Sequence, residues 1–304
     1  MSDQPETPEV PRPQFNAIKN RAMREDVYRK YRHEKAKRKS AIRRAQQKAE
    51  KLDPSKKEER LAKNVSKTID STREHDDTIV DDNDEEDEFA PYFNGRVPKV
   101  LITTSTKSTK ISESFGGDLA TLFPNSTFIK RAKGYTIDQI VSYCNNRDFT
   151  DVIVIHEDLK TLHSMTIIHL PEGPTAHFKL SGIVSMSEIL GKDHVTPHFP
   201  ELILNNFNTR LGQTVGRFFA ALFPQTPQFR GRQVATFHNQ RDFIFFRRHR
   251  YEFQSEDKTS LQELGPRFTL KLKWLQKGPY DPTHGEYEWV FKSEMETTRR
   301  RFFL

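Results

Sequence analysis

The segment from Phe243 to Tyr251 reads Phe-Ile-Phe-Phe-Arg-Arg-His-Arg-Tyr, so Arg247, Arg248 and Arg250 stand among aromatic rings. Guanidinium groups bind phosphates and flat rings stack on unpaired bases, and this interleaving suits RNA. A second stretch, Phe268 to Lys277, alternates. Phe268, Leu270, Leu272 and Trp274 face one way, while Thr269, Lys271, Lys273 and Lys277 lie mainly on the other, with Leu275 interrupting the basic face. Charge on a strand also protects an exposed sheet edge, so for Lys271 and Lys273 alone two readings stand. Arg230 and Arg232 in the same region favour RNA contact. Arg247 and Arg248 must point to opposite faces of a strand. If Phe245 faces the core, Arg247 is the structural arginine, and Arg248 and Arg250 share the solvent side. Two polar loops carry Lys107 and Lys110, or Arg210, just before a helix begins. A helix start attracts phosphate through free N–H groups and the dipole, and Ser or Thr there also caps the helix.

Catalytic chemistry has no counterpart of this kind. There is no Gly-x-x-x-x-Gly-Lys loop, no dinucleotide fingerprint and no Gly-x-Ser-x-Gly elbow. His156-Glu157 lacks the second histidine of a helical zinc site, and His194 and His198 read as loop residues around Pro197. Glu157-Asp158 fits a turn at a strand end. The single cysteine, Cys144, excludes a disulfide framework within the chain and a thiolate-cluster metal site. The expectation is a binding protein with no cofactor, no metal and no small-molecule substrate.

The elements that position these residues occur twice. Val100-Leu101-Ile102 reads as a strand, Thr103 to Lys110 as a polar loop, then a helix with Ile111, Phe115, Leu119 and Leu122 on one face, closed by Phe123-Pro124. The order returns as Leu202-Ile203-Leu204, the loop Asn205 to Arg210, and a helix with Leu211, Val215, Phe219 and Leu222, closed by Phe223-Pro224. Gly116 and Gly216 correspond, as where a helix lies close on a sheet. Arg147-Asp148-Phe149 matches Arg241-Asp242-Phe243, and Gly173-Pro174 matches Gly265-Pro266, each ahead of a strand. This predicts one fold used twice as a pseudo-symmetric pair, with all eight helix residues buried.

Charge divides the 304-residue chain further. From Arg12 to Lys67 there are 20 Lys+Arg against 7 Asp+Glu; from Thr68 to Ala90 the count is 1 against 11. The net charge is +7 and the pI about 9.3, which favours polyanionic partners. The basic stretch is rich in helix formers with only a thin apolar stripe (Phe15, Ile18, Val27, Tyr28, Tyr31), so alone in water it is partly helical at best. Its cluster Lys35, Lys37, Arg38, Lys39, Arg43 and Arg44 can bind nucleic acid, serve as a nuclear import signal, or be a solvated helix. The acidic run Asp81 to Glu88 repels itself and reads as a disordered linker or a shield for the basic tail. No apolar run is long enough to span a bilayer and the N-terminus lacks a signal-peptide core, so no membrane partner is expected.

The loop Val100 to Lys110, the two Leu-Phe-Pro helix ends, and Glu263-Leu264-Gly265-Pro266-Arg267 resemble the Brix-domain proteins of eukaryotic ribosome assembly. So do Gly173 to Lys179, Gly231 to Asp242 and the closing Arg299-Arg300-Arg301-Phe302-Phe303-Leu304. The chain departs from the pattern in lacking an arginine or proline after Thr103-Thr104-Ser105. The resemblance implies a mixed α/β domain at 95–290, with pseudo-twofold halves at about 95–190 and 196–290, like the anticodon-binding domain of class II aminoacyl-tRNA synthetases. It leaves a basic then acidic tail at 1–94 and a basic segment at 291–304. It also implies a nucleolar, nuclear role in the large (60S) subunit, holding pre-rRNA alongside other assembly factors and ribosomal proteins.

Overall fold

A computed structural model describes residues 18–63, 68, 70–74, 89–93, 95–191, 193–255, 258–296, 298 and 300–304. The acidic run Asp81 to Glu88, and Phe15 of the apolar stripe, lie outside the described residues. Two compact units divide the chain, residues 1–71 and 72–304.

The first unit holds helix α1, Arg21–Leu52, and helix α2, Pro54–Lys63. Asn20 caps α1 by accepting from the Met23 N–H, and no residue of the helix is buried. With no core to pack on, α1 depends on propensity and on exposed pairs such as Arg21–Glu25 and Arg38–Glu34. Asp53 ends α1 and begins α2, its carboxylate accepting from the Ser55 N–H and hydroxyl, with Pro54 in the first helical turn.

The second unit is built on one sheet. Its strands are β1 Val100–Thr104, β2 Ser126–Ile129, β3 Asp151–Asp158, β4 Thr161–His169, β5 Thr175–Val184, β6 Glu201–Asn205, β7 Gln233–Gln240, β8 Phe243–Ser255, β9 Lys258–Glu263, β10 Arg267–Gln276 and β11 Tyr287–Val290. Helices α3 Lys110–Leu122, α4 Ile137–Asn145 and α5 Arg210–Ala220 complete it. The order β2-β1-β3-β4-β5-β10-β8-β7-β6 is palindromic about its middle, apart from β2. β1 runs parallel to β3 and β6 parallel to β7; each leads to an antiparallel pair, and the halves meet where β5 pairs antiparallel with β10. The duplication is therefore a pseudo-twofold about this seam, where Leu180 faces Leu270 and Phe178 faces Leu272.

The core lies between α3, α5 and one sheet face. Phenylalanines run through it without a break: Phe219 stacks on Phe237 at 4.4 Å, Phe237 meets Phe246, Phe246 stacks on Phe268 at 4.6 Å, and Phe268 meets Phe115 edge-on. Cross-strand register makes Phe237, Phe246 and Phe268 direct neighbours, so one aromatic ladder joins both halves.

Several expectations need correction. Ile111 is 55% exposed, because Ser112 takes the inward position and donates to Glu157. The buried face of α3 is Ser112, Phe115, Gly116, Leu119 and Leu122, matched on α5 by Gly212, Val215, Gly216, Phe219 and by Leu222 beyond it. Gly116 is needed, since a Cβ would lie 2.2 Å from the Phe128 ring; Gly216 has ordinary room, 3.6 Å to Phe207. The Arg-Asp-Phe match is not a topological one. Arg241-Asp242 forms the β7–β8 turn with positive φ, and its counterpart is the β3–β4 turn Leu159-Lys160, also positive in φ. On β10 the register shifts between Leu272 and Trp274, which puts Leu275 in the core and leaves Trp274 stacked on His177.

The largest correction concerns Arg248. Ile244 and Phe246 face the core, so the side chain in line with them, Arg248, is 1% exposed and does not reach solvent. It donates to Gln233 Oε1 and, across the seam, to the Thr121 carbonyl at the end of α3. Reciprocally, His169 of β4 reaches the Phe218 carbonyl in the last turn of α5 and sits against Asp151. Each half thus sends one polar side chain to the orphan carbonyls of the other half's helix. Burial, then nearby Arg250, pulls the Arg248 guanidinium down to about 10. Arg248→Ala leaves two buried acceptors without donors and should cost about 2–4 kcal/mol in denaturant unfolding. Arg247→Ala, which loses only a half-exposed pair with Glu263, should cost less than about 1 kcal/mol. Equal losses would refute the assignment of Arg248 as the structural arginine.

Candidate nucleic-acid interface

The two faces of this sheet are treated differently. In the first half, α4 covers the face opposite α3: its Val141 and Cys144, with Ile137 and Ile140, pack on Leu101, Val152, Val154 and Ile168. A capping box at Thr136 and Gln139 starts that helix. Among the described residues of this unit the second half has no such layer, because only residues 221–232 separate α5 from β7, where the first half spends 123–150 on β2 and α4. The residues that would lie under it are correspondingly polar. Directly opposed cross-strand partners share a face, and the register runs Ile203–Thr236–Arg247, His238–Phe245–Thr269 and Phe243–Lys271–Lys179. Phe243 is 39% exposed and Ile203 41%, with Phe245, Arg247 and Lys271 half-buried around them.

The face carries its charge close to rings. The Lys271 ammonium lies 4.9 Å from the Phe243 ring centre and 4.5 Å from that of Phe291, and Lys273 lies 4.0 Å from Phe291. Each distance is within cation–π range. Lys271 also pairs with Glu296, and Arg247 with Glu263. Toward the first half, the face continues into His156 and His177, which share the Thr166 hydroxyl at 2.9 and 2.8 Å.

Other candidates fall elsewhere. Arg250 pairs with Asp193 and donates to the His194 carbonyl, which spends its guanidinium on tying down the β5–β6 linker rather than on the solvent side expected for it. Both helix starts are already filled by the protein. Glu157 accepts from the Thr109 N–H and Ser112 hydroxyl at α3, and although burial alone would raise this carboxyl, those hydrogen bonds hold it below its ordinary range. At α5, Thr209 caps Gly212, and the backbone of Leu304 lies where a Gly212 Cβ would come within 2.9 Å of it. Lys107, Lys110 and Arg210 flank these occupied positions, and all three are exposed. Arg230 and Arg232 are exposed ahead of β7. Lys277 pairs loosely with Glu286 and, with Arg96 and Tyr92, lines a cavity of about 640 Å³. Lys35, Lys37, Arg38, Lys39, Arg43 and Arg44 are exposed on α1.

With this geometry in place, the family model described as "Brix domain" matches residues 105–274, more than half the chain. The chain belongs to the Brix domain family. Ribosome production factor 1 of Saccharomyces cerevisiae is 46% identical over 291 residues, covering 94% of this chain and 97% of that protein. The protein of the same name from Pongo abelii is 50% identical over 301 residues, 95% and 85% of the two chains, and that from Xenopus laevis 53% over 252 residues, 80% and 73%. A solved structure, "Crystal structure of probable ribosomal biogenesis protein from Aeropyrum pernix K1", aligns with a TM-score of 0.45 and 14% identity over 64% of this chain and 99% of that one.

In this Brix domain the compact unit is wider than 95–290: Phe89 is 2% exposed against His169 and Phe218, and Leu304 is 2% exposed in the core. The residues that sequence reasoning missed are Phe243, His238, Lys179, Phe291 and Glu296. With Ile244 inward on β8, Phe243, Phe245 and Arg247 face outward, which the run of four apolar residues does not itself decide. The pairing of Lys179 with Lys271 depends on register between distant strands and has no local signal.

The His156–Thr166–His177 chain gives this face a pH dependence. Burial first presses both rings from about 6.5 down to about 4, with Arg131 and His163 adding to it at His156, and His156, His163 and Lys273 at His177. The native rings stay neutral while the unfolded chain takes up protons below about 6.5, so their stabilisation is complete above that pH and is lost between about 6.5 and 4. At most about 3 kcal/mol per ring is involved. Melting temperature should fall across that window, and His177→Gln should flatten the fall. Coincident pH profiles for the parent and this variant would refute it.

Proposed function

We propose that this Brix protein is a non-enzymatic assembly factor of the large (60S) ribosomal subunit that works in the nucleolus by holding pre-rRNA while other assembly factors and ribosomal proteins join. The names of its relatives support the ribosomal setting. The observation that carries RNA binding is the face of β6, β7, β8 and β10, where Phe243, Phe245, Arg247, Lys271 and Lys273 stand together and, among the described residues of this unit, no helix lies above them. Rings beside fixed cations accept a base and its phosphate at once, and this needs no reacting group. The exposed basic ridge of α1 adds phosphate contacts of lower specificity.

The test is binding of the full chain to structured RNA from the large-subunit precursor across a salt series. Replacing Arg247, Lys271 and Lys273 together by Ala should weaken affinity about tenfold or more near 0.1 M salt and reduce the log–log salt slope by about 2, at about 0.7 per lost contact with unpaired RNA. Arg230→Ala/Arg232→Ala serves as an off-face comparison and should change the slope less. An unchanged slope in folded triple variant would move the basic face to the alternative role, a protein–protein scaffold with incidental RNA contact.

A further inference from the structure

The open face is not wholly bare, because a segment of the chain itself lies on its lysines. After β11, the Phe291 N–H donates to the Lys273 carbonyl, and a short turn at Ser293–Met295 brings Glu296 to Lys271. The Phe291 ring covers both ammonium groups, and Lys271 lies between it and the Phe243 ring. One aromatic ring and one anion on a pair of lysines are the two recognition elements of a nucleotide: a base face and a phosphate.

The lysines beneath are arranged at a cost. Lys271 stands directly opposite Lys179 across the β5–β10 seam, and like charges in that position destabilise a sheet. Lys273 adds a third cation beside them, and among the described residues neither Lys179 nor Lys273 has an ion-pair partner. Among the described residues, the ion pair at this cluster is that of Lys271 with the exposed Glu296. The cluster lacks negative charge that a phosphodiester backbone supplies.

The covering segment is held lightly in its middle and firmly at its ends. Lys292, Ser293, Glu294 and Glu296 are exposed, whereas β11 pairs with β10 before them. Beyond them, Asp242 accepts from the Phe303 and Leu304 N–H groups, and Phe302 and Leu304 are buried. An exposed ion pair and ring contacts hold a loop weakly, so the middle can lift while both anchors stay.

We propose that Phe291 and Glu296 occupy, in the free protein, the base and phosphate positions of a binding nest formed by Phe243, Lys179, Lys271 and Lys273, and that unpaired RNA binds there by displacing residues 291–296. This rests on the RNA-binding reading above and adds the ligand's form, a single strand, and the competitor built into the chain. An acidic ligand without bases is disfavoured, since it offers no ring to take the place of Phe291 beside Lys271 and Phe243. A duplex buries its bases and cannot replace the Phe291 ring.

The experiment uses the full chain and a fluorescent oligouridylate of about 10 nucleotides, within the span one such surface covers. Phe291→Ala/Glu296→Gln should bind it about fivefold more tightly than the parent, the contribution expected of one exposed ion pair and its ring contacts. The gain should vanish when Lys271→Ala/Lys273→Ala is added. A second readout needs no substitution: amide exchange across 291–296 should speed up when the oligonucleotide is added, while that of β10 slows. If the variant binds no tighter than the parent, or exchange in 291–296 slows instead, the displaced-segment proposal is wrong while lysine-dependent RNA binding stands. If structured RNA binds through Lys271 and Lys273 but the oligouridylate does not bind, the single-strand assignment is wrong. If neither RNA binding depends on those lysines, both this inference and the functional reading fall.

Discussion

The antiparallel pairing of Thr175–Val184 with Arg267–Gln276 is the constraint on which the rest of the domain depends. Each half alone would leave one edge of a long strand unpaired and one helix end without donors. Pairing the two strands closes both edges in a single sheet and brings Arg248 and His169 within reach of the opposite helix. The aromatic ladder from Phe219 to Phe115 then crosses the seam, so the core on the α3 and α5 side is shared by both halves. Burying a guanidinium is costly unless its donors are satisfied. Arg248 meets that condition only when both halves are in place, which couples the integrity of one half to that of the other.

The same seam creates the functional asymmetry. A strict twofold would cover both halves of the outer face. The first half places α4 over aliphatic side chains, and the second replaces those side chains with Thr236, His238, Phe245 and Arg247 and omits the helix. The pseudo-twofold also sets Lys179 against Lys271, a pairing that neither strand would choose for stability. The outer face therefore holds neighbouring cations, met by the segment bearing Phe291 and Glu296, and these are the groups proposed to take a polyanion. Stability on the helix side and the binding proposed for the open side thus come from one topology.

Much of this architecture is legible in the residues alone. The repeat of a strand, a polar loop and a helix ending in Leu-Phe-Pro marks both halves, and the Gly-Pro pair locates the entry to each seam strand. Local pattern fails where a contact from elsewhere decides the outcome. Phe243-Ile244-Phe245-Phe246 is apolar at every position, so alternation alone cannot fix the inward face, and nothing local shows that Thr121 and Gln233 hold Arg248 inside. Ile111 has the spacing of a core residue because Ser112 carries no hint of its bond to Glu157. The phosphate sites expected at the starts of α3 and α5 are filled by Glu157 and by the backbone at Leu304, partners distant in sequence. The bulge that turns Trp274 outward likewise depends on its pairing with His177.

The uncovered face of the second half, and not the helix side, is the surface proposed to contact RNA. Ultraviolet cross-linking of the unmodified chain to unpaired RNA, followed by mapping of the adduct peptides, tests this most directly. The account predicts adducts concentrated on residues 243–249 of β8 and 268–274 of β10, where exposed rings lie beside fixed cations. Adducts confined to α1, or to α3 and α5, with none on those two strands, would contradict it.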